Sequence, residues 1–210
     1  LNQLLKPLFK ESVFREEENI FNFKGIHNNY IANVFEGQID TGKMITELLR
    51  KVSLLGIKIL NNTTVTSFED LKSKVLVNTD QHSFYTSKLL IATNGFAKDL
   101  VKEKVNPARA QVLITKPIKN LSIKGTFHLE KGYYYFRNID DRILLGGGRN
   151  LDFKTEETTN FDVTSIIQEK LLEILSTIIL PDTNFTIDFS WSGIMGVGNQ
   201  KKAIVKQLSN

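Results

Sequence analysis

With 210 residues, 41% of them hydrophobic and 24% charged, the chain has the composition of a folded globular protein and the length for one large domain or two small ones. No apolar run approaches the ~20 residues of a membrane-spanning helix, no secretory signal pattern opens the chain, and zero cysteines exclude disulfides and thiolate chemistry, so a cytoplasmic setting is expected. The net charge of +4 comes from lysines spread along the chain with only short basic doublets, Arg50-Lys51 and Lys201-Lys202, which argues for a solvated surface rather than a nucleic-acid stripe.

The first 35 residues are mixed, and Asn19 to Tyr30 reads as loop with short extended pieces. Met44, Ile45, Leu48, Leu49, Val52 and Leu55 then form an i, i+3/i+4 stripe with Lys43, Glu47, Arg50 and Lys51 opposite, which predicts an amphipathic helix ending at Gly56. Strands are expected at Ile57–Leu60 and Thr63–Phe68, with a hairpin of Lys74–Asn78 and Ser83–Tyr85 across Thr79-Asp80-Gln81. Lys88–Ala92, apolar on both faces, suits a central buried strand that stops on the small, polar corner Thr93-Asn94-Gly95.

Beyond Pro107 the pattern turns to strands. Arg109–Lys116, Gly125–Leu129, Tyr133–Arg137 and Arg142–Leu145 read as an antiparallel meander. Val163, Ile166, Ile167, Leu171, Ile174, Leu175 and Ile178 predict a second, long amphipathic helix closed by Pro181. Thr186–Trp191 is a last alternating strand, running into Ser192-Gly193-Ile194-Met195-Gly196. The expected fold class is α/β with α+β character: part of a nucleotide-binding fold over residues 1–106 and an antiparallel or mixed sheet with a helix over residues 107–210.

Nucleophile-and-base chemistry finds little support, because there is no G-x-S-x-G elbow and no H-E-x-x-H. Three scattered histidines support no metal site. Gly146-Gly147-Gly148-Arg149 looks like a phosphate loop, but it follows a strand and no helix follows at once. Three glycines at a strand end more readily admit another backbone or a flat ring. In G-Y-Y-Y-F-R, strand alternation would place Tyr133, Tyr135 and Arg137 on one face, where two phenols and a guanidinium can orient a small carboxylate. Cross-strand aromatic packing is the competing explanation of the same residues.

Six segments, in this order, resemble the D-amino-acid oxidase superfamily of FAD-dependent enzymes, which includes glycine and sarcosine oxidases. They are G-Q-I-D-T-G-K-M-I-T-E-L-L from Gly37, G-I-K-I-L-N-N-T-T-V-T-S-F from Gly56, L-L-I-A-T-N-G-F-A from Leu89, P-A-R-A-Q-V-L-I-T-K-P-I from Pro107, Y-Y-Y-F-R-N-I-D-D-R-I-L-L-G-G-G from Tyr133 and W-S-G-I-M-G from Trp191. The resemblance implies that Ala92, Thr93 and Gly95 are small because FAD passes over them. Val65 would meet the adenine end, Gly193, Ile194 and Met195 would approach the flavin ring, and Tyr133, Tyr135 and Arg137 would line the substrate sheet roofing that ring. The implied reaction oxidises the C–N bond of an amino acid or related amine.

Two features depart from the family pattern. Ile194-Met195 follows the W-x-G where several members carry a carboxylate-binding arginine, and Ala110 stands where R-G-Q is common. The sequence also contains no G-x-G-x-x-G, the turn that holds the FAD pyrophosphate. The expectation is therefore a central fragment, without the N-terminal and C-terminal glycine-rich FAD segments, that does not retain FAD by itself. The alternatives are a non-catalytic ligand- or protein-binding module of the same fold and a piece of a tRNA-modifying flavoenzyme.

Overall fold

The computed structural model describes residues 1–200 and 202–209, so Lys201 of the Lys201-Lys202 doublet lies outside the described residues. In chain order the elements begin with helix α1 (Asn2–Phe9), strands β1 (Phe14–Glu18) and β2 (Asn29–Asn33), and helix α2 (Thr41–Leu54). Strands β3 (Val65–Asp70), β4 (Val75–Thr79), β5 (Ser83–Thr86) and β6 (Asn106–Thr115) follow. The chain continues with β7 (Thr126–Leu129), β8 (Tyr134–Ile139), β9 (Arg142–Gly147), helix α3 (Ser165–Ile174) and β10 (Ile187–Val197). The result is a mixed α/β fold built on antiparallel pairings.

The chain divides into two compact units. The first comprises Leu1–Gly42, Ala110–Phe153 and Asp162–Ser192; the second comprises Lys43–Arg109, Lys154–Phe161 and the residues from Gly193 onward. Both are discontinuous. The chain passes between them inside β6, three residues beyond the division expected after residue 106, and passes back inside β10. The N-terminal residues group with the later sheet because Phe23 packs edge-on against Phe127 and Phe136 of β7 and β8, a long-range contact that no local pattern signals.

In the first unit the meander β7-β8-β9 forms as its alternation requires, with Phe136 opposite Leu145 and Tyr135 opposite Gly146. It belongs to a five-stranded sheet of order β10-β6-β9-β8-β7. Tyr134, Phe136, Ile143 and Leu145 point to one side, into a core completed by Ile167, Leu171 and Ile174 of α3. Burial of each such side chain stabilises the unit by roughly 1.5–3 kcal/mol. The second predicted helix is the α-helical α3 followed by a π-helical turn, Leu175–Ile179, which carries Leu175 and Ile179 into the same core. Asp140, at φ 50°, makes the tight β8–β9 turn.

In the second unit, β3, β4 and β5 form a small antiparallel sheet that contains the expected hairpin, with Asn78 opposite Ser83. Helix α2 forms over its predicted stripe and ends at Leu54, with Gly56 at φ 71° in the turn that follows, yet none of its residues is buried. Segment 154–161 is tied to β6 by a bidentate fork: Arg109 Nε and Nη2 donate to Glu156 Oε2 and Oε1, each at 2.8 Å, with both side chains out of water.

Two local expectations are corrected. Ile57–Leu60 and Lys88–Ala92 are not strands, and Leu90 is 89% exposed. A segment apolar on both faces becomes a central strand only where neighbours pair with both its edges, and among the described residues no strand pairs with either segment. Helix α1 forms with Pro7 inside it; Asn2 anchors it by exchanging hydrogen bonds with the backbone of Phe14 at 2.7 and 2.9 Å.

Candidate functional site

Within the second unit, the corner after Leu89–Ala92 meets the end of β10. Asn94 adopts the left-handed conformation at φ 49°, which a short polar side chain tolerates. Its amide then bridges β10: Nδ2 donates to the Ile194 carbonyl at 3.3 Å, and Oδ1 accepts from Gly196 N–H at 2.7 Å. Gly95 is buried beneath this clamp. A Cβ there would lie 2.6 Å from the Met195 carbonyl oxygen and 2.8 Å from Ile194 Cγ2, so the main chain of β10 by itself accounts for glycine at this position.

The other residues expected to face a cofactor are arranged differently. Thr93 Oγ1 is buried and has no hydrogen-bond partner, an arrangement that costs stability unless a further group meets it. Gly193 has open space where a Cβ would stand. Ala92 is exposed and Met195 is 43% exposed, whereas Ile194 is buried. Val65 opens β3, half-buried and opposite Thr79. The structure thus brings Thr93 and Gly95 together with Ile194 and Met195, and leaves Val65 in the small sheet.

Within the first unit, Tyr135 and Arg137 share the half-buried face of β8, opposite the core side chains Tyr134, Phe136 and Asn138. Tyr133 is not on that strand face. It lies in a turn at φ −68°, ψ −25°, because Glu130 and Lys131 just before it take positive φ. The Tyr135 ring lies across the sheet over Gly146, where a Cβ would approach its Cζ and hydroxyl to 2.7 Å. The Tyr133 carbonyl occupies the Cβ position of Gly147. Protein groups therefore fill the space that the glycine run opens: one ring and one backbone. Burial raises the Tyr135 phenol above the ordinary tyrosine value.

Arg137 does work that sequence reasoning missed. Its Nη1 donates to the Ile39 carbonyl at 2.6 Å, while Gln38 reaches Asn138 and Thr126 at 3.3 Å. Segment 38–39 is thereby strapped to β7 and β8, and Arg137 Nε stays buried without a partner. Glutamine, isoleucine and aspartate in G-Q-I-D carry no local signal for such a strap. Among the described residues there is no cluster of metal-ligating side chains and no helix long and apolar enough to cross a membrane.

The sequence matches the family described as FAD dependent oxidoreductase over residues 18–209. The chain belongs to that family. The bifunctional protein ThiO/ThiG of Synechocystis is 30% identical over 79 residues, which is 37% of this chain and 12% of that protein. L-proline dehydrogenase from P. horikoshii has a similar fold, with a TM-score of 0.71 at 21% identity over 87% of this chain and 50% of its own. Glycine oxidase from Geobacillus kaustophilus gives 0.68 at 19% identity over 82% and 46%. This member of the FAD dependent oxidoreductase family spans about half the length of these solved relatives.

Proposed function

We propose that the chain is part of an FAD-dependent oxidoreductase that oxidises the C–N bond of an amino acid or related amine. Family membership supports the class of chemistry, and the buried, unpartnered Thr93 hydroxyl is the observation in this chain that carries the cofactor reading. A hydroxyl can donate and accept, so it suits the polar edge of a bound dinucleotide or flavin. The open position at Gly193 and the exposed Met195 fit the same role.

FAD, when bound, supplies the acceptor for the hydride that leaves the carbon bearing the amine. Thr93 would hydrogen-bond the cofactor, while Ala92, Gly193 and Met195 would lie against it, with Val65 toward its adenine end. Gly95 and Ile194 would act beneath, holding the corner in shape with the Asn94 clamp. In the first unit Tyr135 and Arg137 offer a phenol and a guanidinium on one strand face, and Tyr133 adds an exposed phenol at the turn. Their task is to bind and orient substrate rather than to supply a strong base.

No G-x-G-x-x-G is present in the sequence, and these 210 residues by themselves are expected to elute from gel filtration without stoichiometric flavin. The protein made from the complete reading frame should carry flavin, and under anaerobic conditions its visible flavin band should bleach on adding an amino acid or amine. A product that takes up no FAD, or whose flavin is reduced by alcohols and never by amines, overturns the reading.

A further inference from the structure

The chain has six arginines, and five of them hold an oxygen. Arg15 pairs with Glu11, Arg50 with Glu47, Arg109 with Glu156 and Arg142 with Asp188, while Arg137 donates to Ile39. Arg149 alone has no polar partner among the described residues, although its Nε is buried. Arg149 itself is half-buried, and a guanidinium N–H drawn out of water without an acceptor is costly, so the site is incomplete as it stands.

Its surroundings, all within the first unit, are those of a binding site. Gly148 N–H donates to the Tyr133 carbonyl at 3.1 Å, which fixes the turn Arg149–Leu151 against the start of β8. The guanidinium lies over the Phe153 ring, 4.9 Å from its centroid, and the Tyr133 ring meets Phe153 edge-on at 6.5 Å. Both aromatic side chains are nearly half exposed, at 47% and 46%. Beside the arginine, Asn150 Oδ1 is also buried without a partner. An unmet donor and an unmet acceptor on adjacent residues match a carboxylate with an N–H donor close by, and the rings match an apolar substituent.

We propose that Arg149, with Asn150, forms the subsite that binds the carboxylate of an α-amino or N-alkyl amino acid, with Tyr133 and Phe153 as its apolar wall. The assignment rests on the amino-acid reading above. It gives the carboxylate a holder other than Arg137, one of whose terminal nitrogens is engaged with Ile39.

The test is saturation-transfer NMR on the chain without flavin, using phenylalanine and N-methylglycine, each against its carboxamide, with inorganic phosphate as a further arm. The free acids should bind and the carboxamides should not. R149M should weaken binding roughly tenfold to hundredfold, R149K by less because it keeps the charge but loses the planar fork, and R50M, which breaks only an exposed pair with Glu47, by no more than about twofold. Thermal melting of each variant reports folding; if R149M does not fold, R149K against wild type carries the test. Binding unchanged in the folded Arg149 variant, an equal loss in R50M, phosphate bound in place of both acids, or no binding of either acid to wild type would each overturn the subsite. Failure of flavin reduction in the complete protein would remove the oxidoreductase reading and leave carboxylate binding standing, so the two fail separately.

Discussion

Gly95 shows how one missing side chain fixes a corner. With Met195 O and Ile194 Cγ2 already at the position of a Cβ, Gly95→Ala forces backbone apart and should destabilise the second unit by about 1–3 kcal/mol, read as a lower urea midpoint. The corner was legible as a place needing small residues, but what approaches Gly95 is β10, 100 residues later, and no local pattern identifies a neighbour so far away. Tyr135 gives a pH signature. Burial raises its folded pKa above the ordinary tyrosine value, so the neutral phenol is favoured in the fold. That contribution is fully present below about pH 10 and is lost as pH rises through the folded value, because the unfolded chain releases its proton first. Tyr135→Phe should therefore flatten the alkaline fall in stability above pH 10 relative to wild type; an unchanged alkaline limb would count against the buried phenol.

The elements differ in how fully the rest of the chain completes them. Helix α3 and helix α2 carry equally plain amphipathic stripes, yet Ile167, Leu171 and Ile174 of α3 are buried while no residue of α2 is. Leu171→Ala should cost roughly 2–5 kcal/mol, whereas Leu48→Ala, at a side chain 49% exposed, should stay within about 0.5 kcal/mol; chemical denaturation of the two variants checks the contrast. Period and turn chemistry made the helices, the β4–β5 hairpin and the β7–β9 meander readable, since each is specified by residues near one another. Lys88–Ala92 has the composition of a central strand but takes no strand partner among the described residues, because strand formation depends on edges that sequence pattern cannot supply. Tyr133 was misplaced for a related reason: the positive φ of Glu130 and Lys131 moves it off the parity of β8.

At the scale of the whole chain, there are two candidate sites, each built inside its own unit. One is the Thr93–Gly95 corner clamped to the end of β10, and the other is the outer face of β8 with the Arg149 turn. Six weak motifs in order made the family readable, and the match over residues 18–209 agrees with them. The individual roles were less readable, because Arg137 and Arg149 differ in what they touch rather than in what they are. Central to the functional reading is that the Thr93 hydroxyl meets bound FAD, and Thr93→Val, nearly isosteric, isolates that contact. In protein made from the complete reading frame and stripped of flavin, fluorescence titration should show FAD binding about fivefold weaker for Thr93→Val. Stability without FAD should be equal or higher, since a buried hydroxyl without a partner has been removed. An FAD affinity unchanged by the substitution would contradict the placement of the cofactor at this corner.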